Sequence, residues 1–125
     1  MTIQTAIDMI DNLKTNMSPV HQKIAWLNDL DGLVMREVIM THDGSNAYAD
    51  FKGYDQDTDM GTVLLIPEPY ADVYRHYLAA QIDIANRETG EYTKDMLLYN
   101  AAWQTFVDYW NRTHMPLQRV AQLRF

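Results

Sequence analysis

Four stretches of the chain carry apolar residues at helical spacing, with polar residues between them. A stripe of this kind is what a helix buries against its neighbours, so each stretch predicts an amphipathic helix. The predicted helices span residues 2–14, 19–41, 69–87 and 91–114. Only a short connection separates the last two, which predicts an antiparallel pair. The pattern therefore predicts a mainly α fold, a helical bundle of about four helices.

Local signals mark where these helices begin and end. Thr2 and Ser18 are expected to cap the first two helices, since a side-chain hydroxyl can accept from a free N–H group of the first turn. Pro19 suits the first helical position, where its missing N–H group costs nothing. Lys14 lies in the last turn of the first helix, where a cation meets the negative helix end. Pro116 ends the fourth helix.

The third and fourth helices carry wide apolar faces with many aromatic rings. Asp72, Arg75 and Asp83 are expected to point away from the core. Most rings are expected in the core, whereas some of the eight tyrosines are expected at an interface, because tyrosine buries its ring and leaves its hydroxyl wet. The predicted faces comprise Tyr70, Val73, Tyr74, Tyr77, Leu78, Gln81, Ile82, Ile84 and Ala85, and Met96, Leu98, Tyr99, Ala102, Trp103, Phe106, Val107, Tyr109 and Trp110.

Residues 42–66 break the helical pattern. Glycine and aspartate are frequent up to residue 62, which predicts a loop. The apolar run Thr62–Ile66 has two interpretations: it pairs with a short strand at 48–52 as a small β-hairpin, or it is a buried extended segment. We therefore predict a single helical domain over residues 1–116, with this insertion, and a C-terminal tail at 117–125.

The net charge of −7 is unevenly distributed. Residues 1–110 hold all 17 acidic residues and seven Lys/Arg, whereas residues 111–125 hold three arginines and no acid. An acidic body argues against broad binding of nucleic-acid phosphates, and no sequence-specific nucleic-acid partner is expected. The chain has no cysteine, which excludes a disulfide framework and a thiolate metal site.

No apolar run approaches the ~20 residues that a membrane span needs. The N-terminal stretch also lacks the basic leader of a signal peptide. We therefore expect a soluble intracellular protein with no membrane partner.

The tail and the arginine that precedes it form the candidate partner-binding site. Apolar residues three apart suit a groove on a partner, and arginines suit an acidic rim, which the body of a neighbouring copy could provide. The alternative is a frayed terminus. The candidate residues are Arg112, Leu117, Arg119, Val120, Leu123, Arg124 and Phe125.

Three alternating aspartates, Asp55, Asp57 and Asp59, resemble the start of a calcium-binding loop. The rest of that motif fails, because Met60 replaces the turn glycine and Ile66 replaces the bidentate glutamate. The stretch therefore favours an aspartate-rich turn, and no metal site is predicted.

No other group of residues predicts catalysis. Asp29 and Asp31 are two apart and face different directions on a helix, so they form no carboxylate pair. Nucleophile, phosphate-binding and dinucleotide motifs are missing, and neither a cofactor nor an enzymatic activity is expected. The four histidines are scattered, at His21, His42, His76 and His114.

Three stretches carry a more specific signal: KIAWLNDLDGLVMREVI, DTDMGTVLLIPEPYADVYRHYLAAQIDIANRE and YTKDMLLYNAAWQTFVDYWNRTHMP. Their distinctive parts are a WLN-x-LDG core, an LL-I/V-P-x-PY hinge and an aromatic run that ends in THMP. Together they cover most of residues 18–116. They resemble a family of small tailed-phage and prophage proteins from the virion-structure gene block of phages of Gram-positive bacteria.

The resemblance implies a head–tail connector (adaptor) subunit, a helical protein that assembles on the portal vertex after DNA packaging. Implied partners are the portal, neck and tail proteins and further copies in a ring through which DNA passes. The implied location is the host bacterial cytoplasm during assembly, and then the virion. The family motifs look like packing and hinge residues, and none transfers a contact residue. The alternative is an acidic helical regulatory or inhibitory binding module.

Overall fold

The computed structural model describes residues 1–117 and contains the four predicted helices. They are α1 (Ile3–Leu13), α2 (Val20–Val34), α3 (Asp72–Ala85) and α4 (Thr89–Thr113). The mainly α, bundle-like fold class is therefore confirmed. Within the same range, no helix has the length and apolarity that a membrane crossing requires.

The starts of α1 and α2 differ from each other. Thr2 caps α1 as predicted, since its hydroxyl accepts from the Thr5 backbone N–H at 3.1 Å. The predicted Ser18 cap is wrong, because Pro19 takes the N-cap position of α2. The Ser18 backbone N–H donates instead to Asn16 Oδ1, which is part of the linker between the two helices.

A π-helical turn, Met35–Ile39, extends α2 and accounts for the longer helix that the sequence predicts. A hydrogen bond closes the turn: the Met40 N–H donates to the Met35 carbonyl at 2.9 Å. Val38 and Ile39 remain buried in the turn, so the wider backbone does not interrupt the apolar face. The chain then leaves the helix at Thr41.

The insertion contains no hairpin in the part of the chain that the structure describes, so that interpretation is wrong. Ser45–Tyr48 forms a 3₁₀ turn instead. The second interpretation is correct in part: Leu64 and Ile66 of the Thr62–Ile66 run are buried, whereas Val63 is 67% exposed. Residues 60–64 bind the start of α1. Ile3 N–H donates to the Thr62 carbonyl at 3.0 Å, and Leu64 N–H donates to the Met1 carbonyl at 2.9 Å. N–H groups in the first turn of a helix have no intrahelical acceptor, so the segment satisfies them.

The antiparallel pair α3 and α4 forms the centre of the core. The predicted faces are confirmed for most positions, including the buried Tyr74, Leu78, Phe106 and Trp110. Rings continue the contact along α4, where Trp103, Phe106 and Trp110 follow one another with centroids about 6 Å apart. The core side of the prediction is thus correct for these rings, and an interface role for tyrosines stays a prediction.

Two edges of that face were predicted wrongly. Asp83 is fully buried, whereas Ile84 and Ala85 near the end of α3 are exposed. Leu98 on α4 is also 43% exposed. The physical reason is the position of α1, whose end lies against α3 and α4 and brings the Lys14 amino group to Asp83. A carboxylate with a cationic partner can be buried, so the buried face of α3 is rotated toward it.

Candidate functional site

The first residues of the predicted tail are fixed to the body. The Asp43 N–H donates to the Met115 carbonyl at 2.9 Å, and the Met115 N–H donates back to Asp43 Oδ1 at 3.0 Å. The Leu117 N–H donates to the Thr41 carbonyl at 2.8 Å. We call this antiparallel pairing of residues 115–117 with 41–43 the tail anchor. It sets the point at which the chain leaves the body.

His42 holds the tail anchor against α4. The ring is buried, with Nδ1 at 2.6 Å from the Val38 carbonyl oxygen and Nε2 at 2.6 Å from Asn111 Oδ1. His114 stacks on Trp110, with parallel rings 4.0 Å apart. His42 therefore connects Val38 to α4 through polar contacts, and His114 packs on Trp110 of α4.

The surface around the anchor includes three exposed apolar side chains and an arginine. Met40, Met115 and Leu117 are between 51% and 60% exposed. Arg112 is exposed on the last turn of α4 and lines a cleft of about 450 Å³. Arg112 and Leu117 are the predicted partner-binding residues that the structure describes. Arg119, Val120, Leu123, Arg124 and Phe125 lie outside the described residues.

The aspartate-rich stretch forms turns. Asp55 Oδ1 accepts from the Asp57 N–H at 2.9 Å and from the Thr58 hydroxyl, and Asp59 Oδ1 accepts from the Gly61 N–H at 2.8 Å. These carboxylates satisfy their own loop, as the aspartate-rich-turn interpretation requires. Over residues 1–117, no group of three or more candidate ligands is arranged to hold a metal ion.

A buried carboxylate, Asp31, holds the insertion on α2. Tyr54 and Tyr74 donate their hydroxyls to its two oxygens at 2.5 and 2.6 Å, and the Leu65 N–H donates at 3.0 Å. The Tyr74 hydroxyl also accepts from the Ile66 N–H at 2.7 Å. Asp31 is fully buried, so three donors replace the water that its carboxylate loses.

Protonation of this centre follows from its burial. Burial raises the pKa of Asp31, while the bonds from Tyr54, Tyr74 and the Leu65 N–H oppose that shift. Burial and the adjacent Asp31 raise the pKa of both tyrosines well above the ordinary value, so both hydroxyls stay available as donors. The centre is a structural network whose hydroxyl protons are all used in bonds.

Asn28 fixes the same loop one helical turn before Asp31. Its Oδ1 accepts from the Tyr54 N–H at 2.8 Å. Gly53 has a φ of +83°, and a Cβ there would lie 2.5 Å from Asn28 Oδ1, so both conformation and space require glycine. Asn28 and Asp31 belong to the WLN-x-LDG stretch, and Leu65, Ile66 and Tyr74 lie within the second stretch. These motif residues thus attach the loop to the helices.

A second buried carboxylate centre joins three helices. The Lys14 amino group lies 2.8 Å from Asp83 Oδ1 on α3 and 3.1 Å from Asp95 Oδ2 on α4. The Asp83 side chain is fully buried and that of Asp95 is 8% exposed. Lys14 was predicted to meet the negative end of its own helix, which is wrong, because its side chain reaches these carboxylates instead.

Sequence reasoning missed both centres. Asp31 follows Leu27 by four residues and precedes Val34 by three, so it occupies the apolar stripe of α2. Asp83 likewise follows Ala79 by four residues on the buried face of α3. An aspartate at a position of the apolar stripe of a helix was therefore the signal that could have indicated a buried carboxylate. Its partners come from distant parts of the chain and carry no local signal.

Searches against protein-family models, curated proteins and solved structures gave no match to this chain.

Proposed function

We propose that the chain is a non-enzymatic virion assembly protein of a phage or prophage, a head–tail connector subunit that docks on the portal vertex. The sequence resemblance motivates the class. The observation that carries the proposal is the tail anchor, because an arm that binds a partner benefits from a fixed point of departure. Exposed Met115 and Leu117 continue directly into the basic, apolar sequence of residues 118–125.

The reach of the arm fits a contact with a neighbouring subunit. Eight residues span at most about 26–29 Å when fully extended. Its arginines are complementary to an acidic surface, and its apolar residues to a groove. The corner from which it leaves already exposes Met40 and Arg112, so arm and corner together can form one continuous contact.

A passive assembly role also suits the buried carboxylates. Asp31, Asp83 and Asp95 are used inside the fold, as bonds between helices and loops. They are thus removed from the acidic surface that a regulatory module imitating DNA would need. Among residues 1–117, no specific contact favours that alternative over the connector role.

The test is to end the chain after Leu117, which preserves the tail anchor and deletes residues 118–125. We expect an unchanged fold by circular dichroism and at least about tenfold weaker binding to assembled portal protein. In particle assembly, DNA-filled heads should accumulate without tails. Normal joining of heads to tails by the truncated chain would refute docking by the arm.

A matched pair of charge reversals separates docking from net charge. One variant carries Arg119→Glu and Arg124→Glu, and the control carries Arg36→Glu and Lys52→Glu at exposed positions of the body. Both change the net charge equally. Loss of portal binding only in the tail variant supports the proposal, and equal loss in both contradicts it.

A further inference from the structure

The lysine at the end of α1 faces two buried carboxylates. Its single positive charge cannot balance both of them when both are ionised. Asp83 Oδ2 is buried and has no hydrogen-bond donor in the described part of the chain. Both carboxyl groups lie against one Lys14 amino group, which is 2.8 Å from Asp83 Oδ1 and 3.1 Å from Asp95 Oδ2. Two ionised carboxylates can only accept, whereas one proton between them turns an unfavourable contact into a hydrogen bond.

Several other charged groups around the pair have partners of their own, whereas the buried Arg75 Nε has no acceptor among the described residues. Glu91 lies 3.9 Å from the Lys14 amino group and 3.1 Å from that of Lys94, so its main cationic partner is Lys94. Arg75 is paired with Asp72 on α3. His76 lines the same cleft of about 330 Å³, which Asp95 also lines, while Asp11 on α1 binds Lys23 of α2 at 2.6 Å.

We propose that Lys14, Asp83 and Asp95 form a proton-dependent clasp that holds the end of α1 against α3 and α4. With one proton on the carboxyl pair, one negative charge faces the lysine and the pair is hydrogen-bonded. When that proton leaves to solvent, two buried negative charges face one lysine. Their repulsion weakens the contact between the three helices.

The carboxyl pair keeps its proton up to a mildly acidic pH. Burial, and then the neighbouring Asp95, raises the pKa of Asp83 to about 6, against the opposing effect of Lys14. Burial acts to raise the pKa of Asp95, but hydrogen bonds from Asp83 and Lys14 hold it below its ordinary value. A raised folded-state pKa adds stability that is full below the unfolded value of 3.8 and is lost as the pH rises through about 6. The clasp is therefore closed below about pH 6 and weakened above it.

The clasp controls more than its own three residues. Asn86 Nδ2 donates to the Thr15 carbonyl at 3.2 Å, so the linker after α1 rests on the end of α3. The other end of α1 binds the 60–64 segment. Release of the clasp loosens the linker first and leaves α1 held by its apolar face and by that segment.

Amide hydrogen exchange of the full chain at about pH 5 and about pH 7.5 tests the clasp. The Lys14 and Ser18 N–H groups are both hydrogen-bonded in the closed state, to the Ile10 carbonyl and to Asn16 Oδ1. After correction for the intrinsic pH dependence of exchange, their protection should fall by about tenfold at the higher pH. Equal protection at both pH values would overturn the proposal.

Asp83→Asn and Asp8→Asn make the matched comparison. The first has the shape of the protonated carboxyl and should keep these amides protected at both pH values, while the second removes an exposed acid of α1 and should behave as wild type. If amide protection falls between the two pH values as much in Asp83→Asn as in wild type, the result contradicts the clasp. If Asp83→Asn does not fold, carboxyl ¹³C titration of wild type decides: an apparent pKa of the pair near 6 supports the clasp, and values all below about 4.5 refute it.

Discussion

Asp31 and Asp83 are equally buried and yet solve the same electrostatic problem in different ways. Asp31 receives three uncharged donors, two tyrosine hydroxyls and a backbone N–H group. Asp83 shares a lysine with a second carboxyl group, Asp95, and its other oxygen has no donor among residues 1–117. The Asp31 centre has a donor for each carboxylate oxygen, whereas the Asp83 centre gains its missing hydrogen bond when it binds a proton.

The difference teaches what each centre can do. A carboxylate that receives fixed uncharged donors holds its surroundings in one geometry, and here it attaches the insertion to α2. Two carboxyl groups that share a lysine change their interaction with pH, because their proton exchanges with solvent. Burial alone therefore does not distinguish a structural acid from a responsive one, but its set of donors does.

The largest expected effect comes from removal of the Asp31 carboxylate. Asp31→Ala leaves two tyrosine hydroxyls and the Leu65 N–H without an acceptor, so we expect a loss of about 4 kcal/mol in the free energy of unfolding. Urea denaturation measures it. Asp29→Ala, at an exposed site on the same helix, is the control and should change stability by less than about 0.5 kcal/mol. A loss below about 1 kcal/mol in Asp31→Ala would mean that the network does not hold the loop.

Removal of single donors should separate the two tyrosines. Tyr74→Phe should cost about 2–3 kcal/mol, because it removes a bond to Asp31 and also leaves the buried Ile66 N–H without its acceptor. Tyr54→Phe should cost less, about 1.5 kcal/mol, since it removes one bond. The same urea titration compares the two variants. Tyr92→Phe, at a half-buried tyrosine of α4, is the control. The reverse order would contradict the network as described.

Lys14→Met should have the smallest effect and the clearest pH dependence. The side chain is 19% exposed, and solvent screens part of its attraction, so we expect a loss of about 1 kcal/mol at about pH 7.5. Near pH 5 the loss should be smaller, because the carboxyl pair can then hold a proton and needs the lysine less. Thermal unfolding at the two pH values measures the difference. An effect independent of pH would contradict a shared proton.

Helix positions were largely predictable because they depend on local spacing. The apolar stripes placed all four helices to within a few residues, and Thr2 capped α1 as expected. The Ser18 cap was wrong because α2 begins one residue later than predicted, with Pro19 at the N-cap. The Thr62–Ile66 run left two interpretations open, because its partner is the first turn of α1 and not a nearby strand.

The candidate sites were less predictable because their parts meet only in the fold. Asp31 collects donors from residues 54, 65 and 74, and Lys14 collects carboxylates from residues 83 and 95. Spacing within one helix does not indicate such partners. The exposed Arg112 and Leu117 could be named from composition. The tail anchor that orients them could not, since the sequence predicts only a helix end at Thr41 and a loop from residue 42.

The attachment of α1 to the 60–64 segment has a consequence for the order of folding. The Ile3 and Thr62 backbone groups that bond to each other are separated by about sixty residues of chain. The α3–α4 pair needs only a short connection, so its contacts can form while the rest of the chain is still unfolded. We expect folding to proceed from the C-terminal half toward the N-terminus. The helix that begins the sequence is then the last to be held in place.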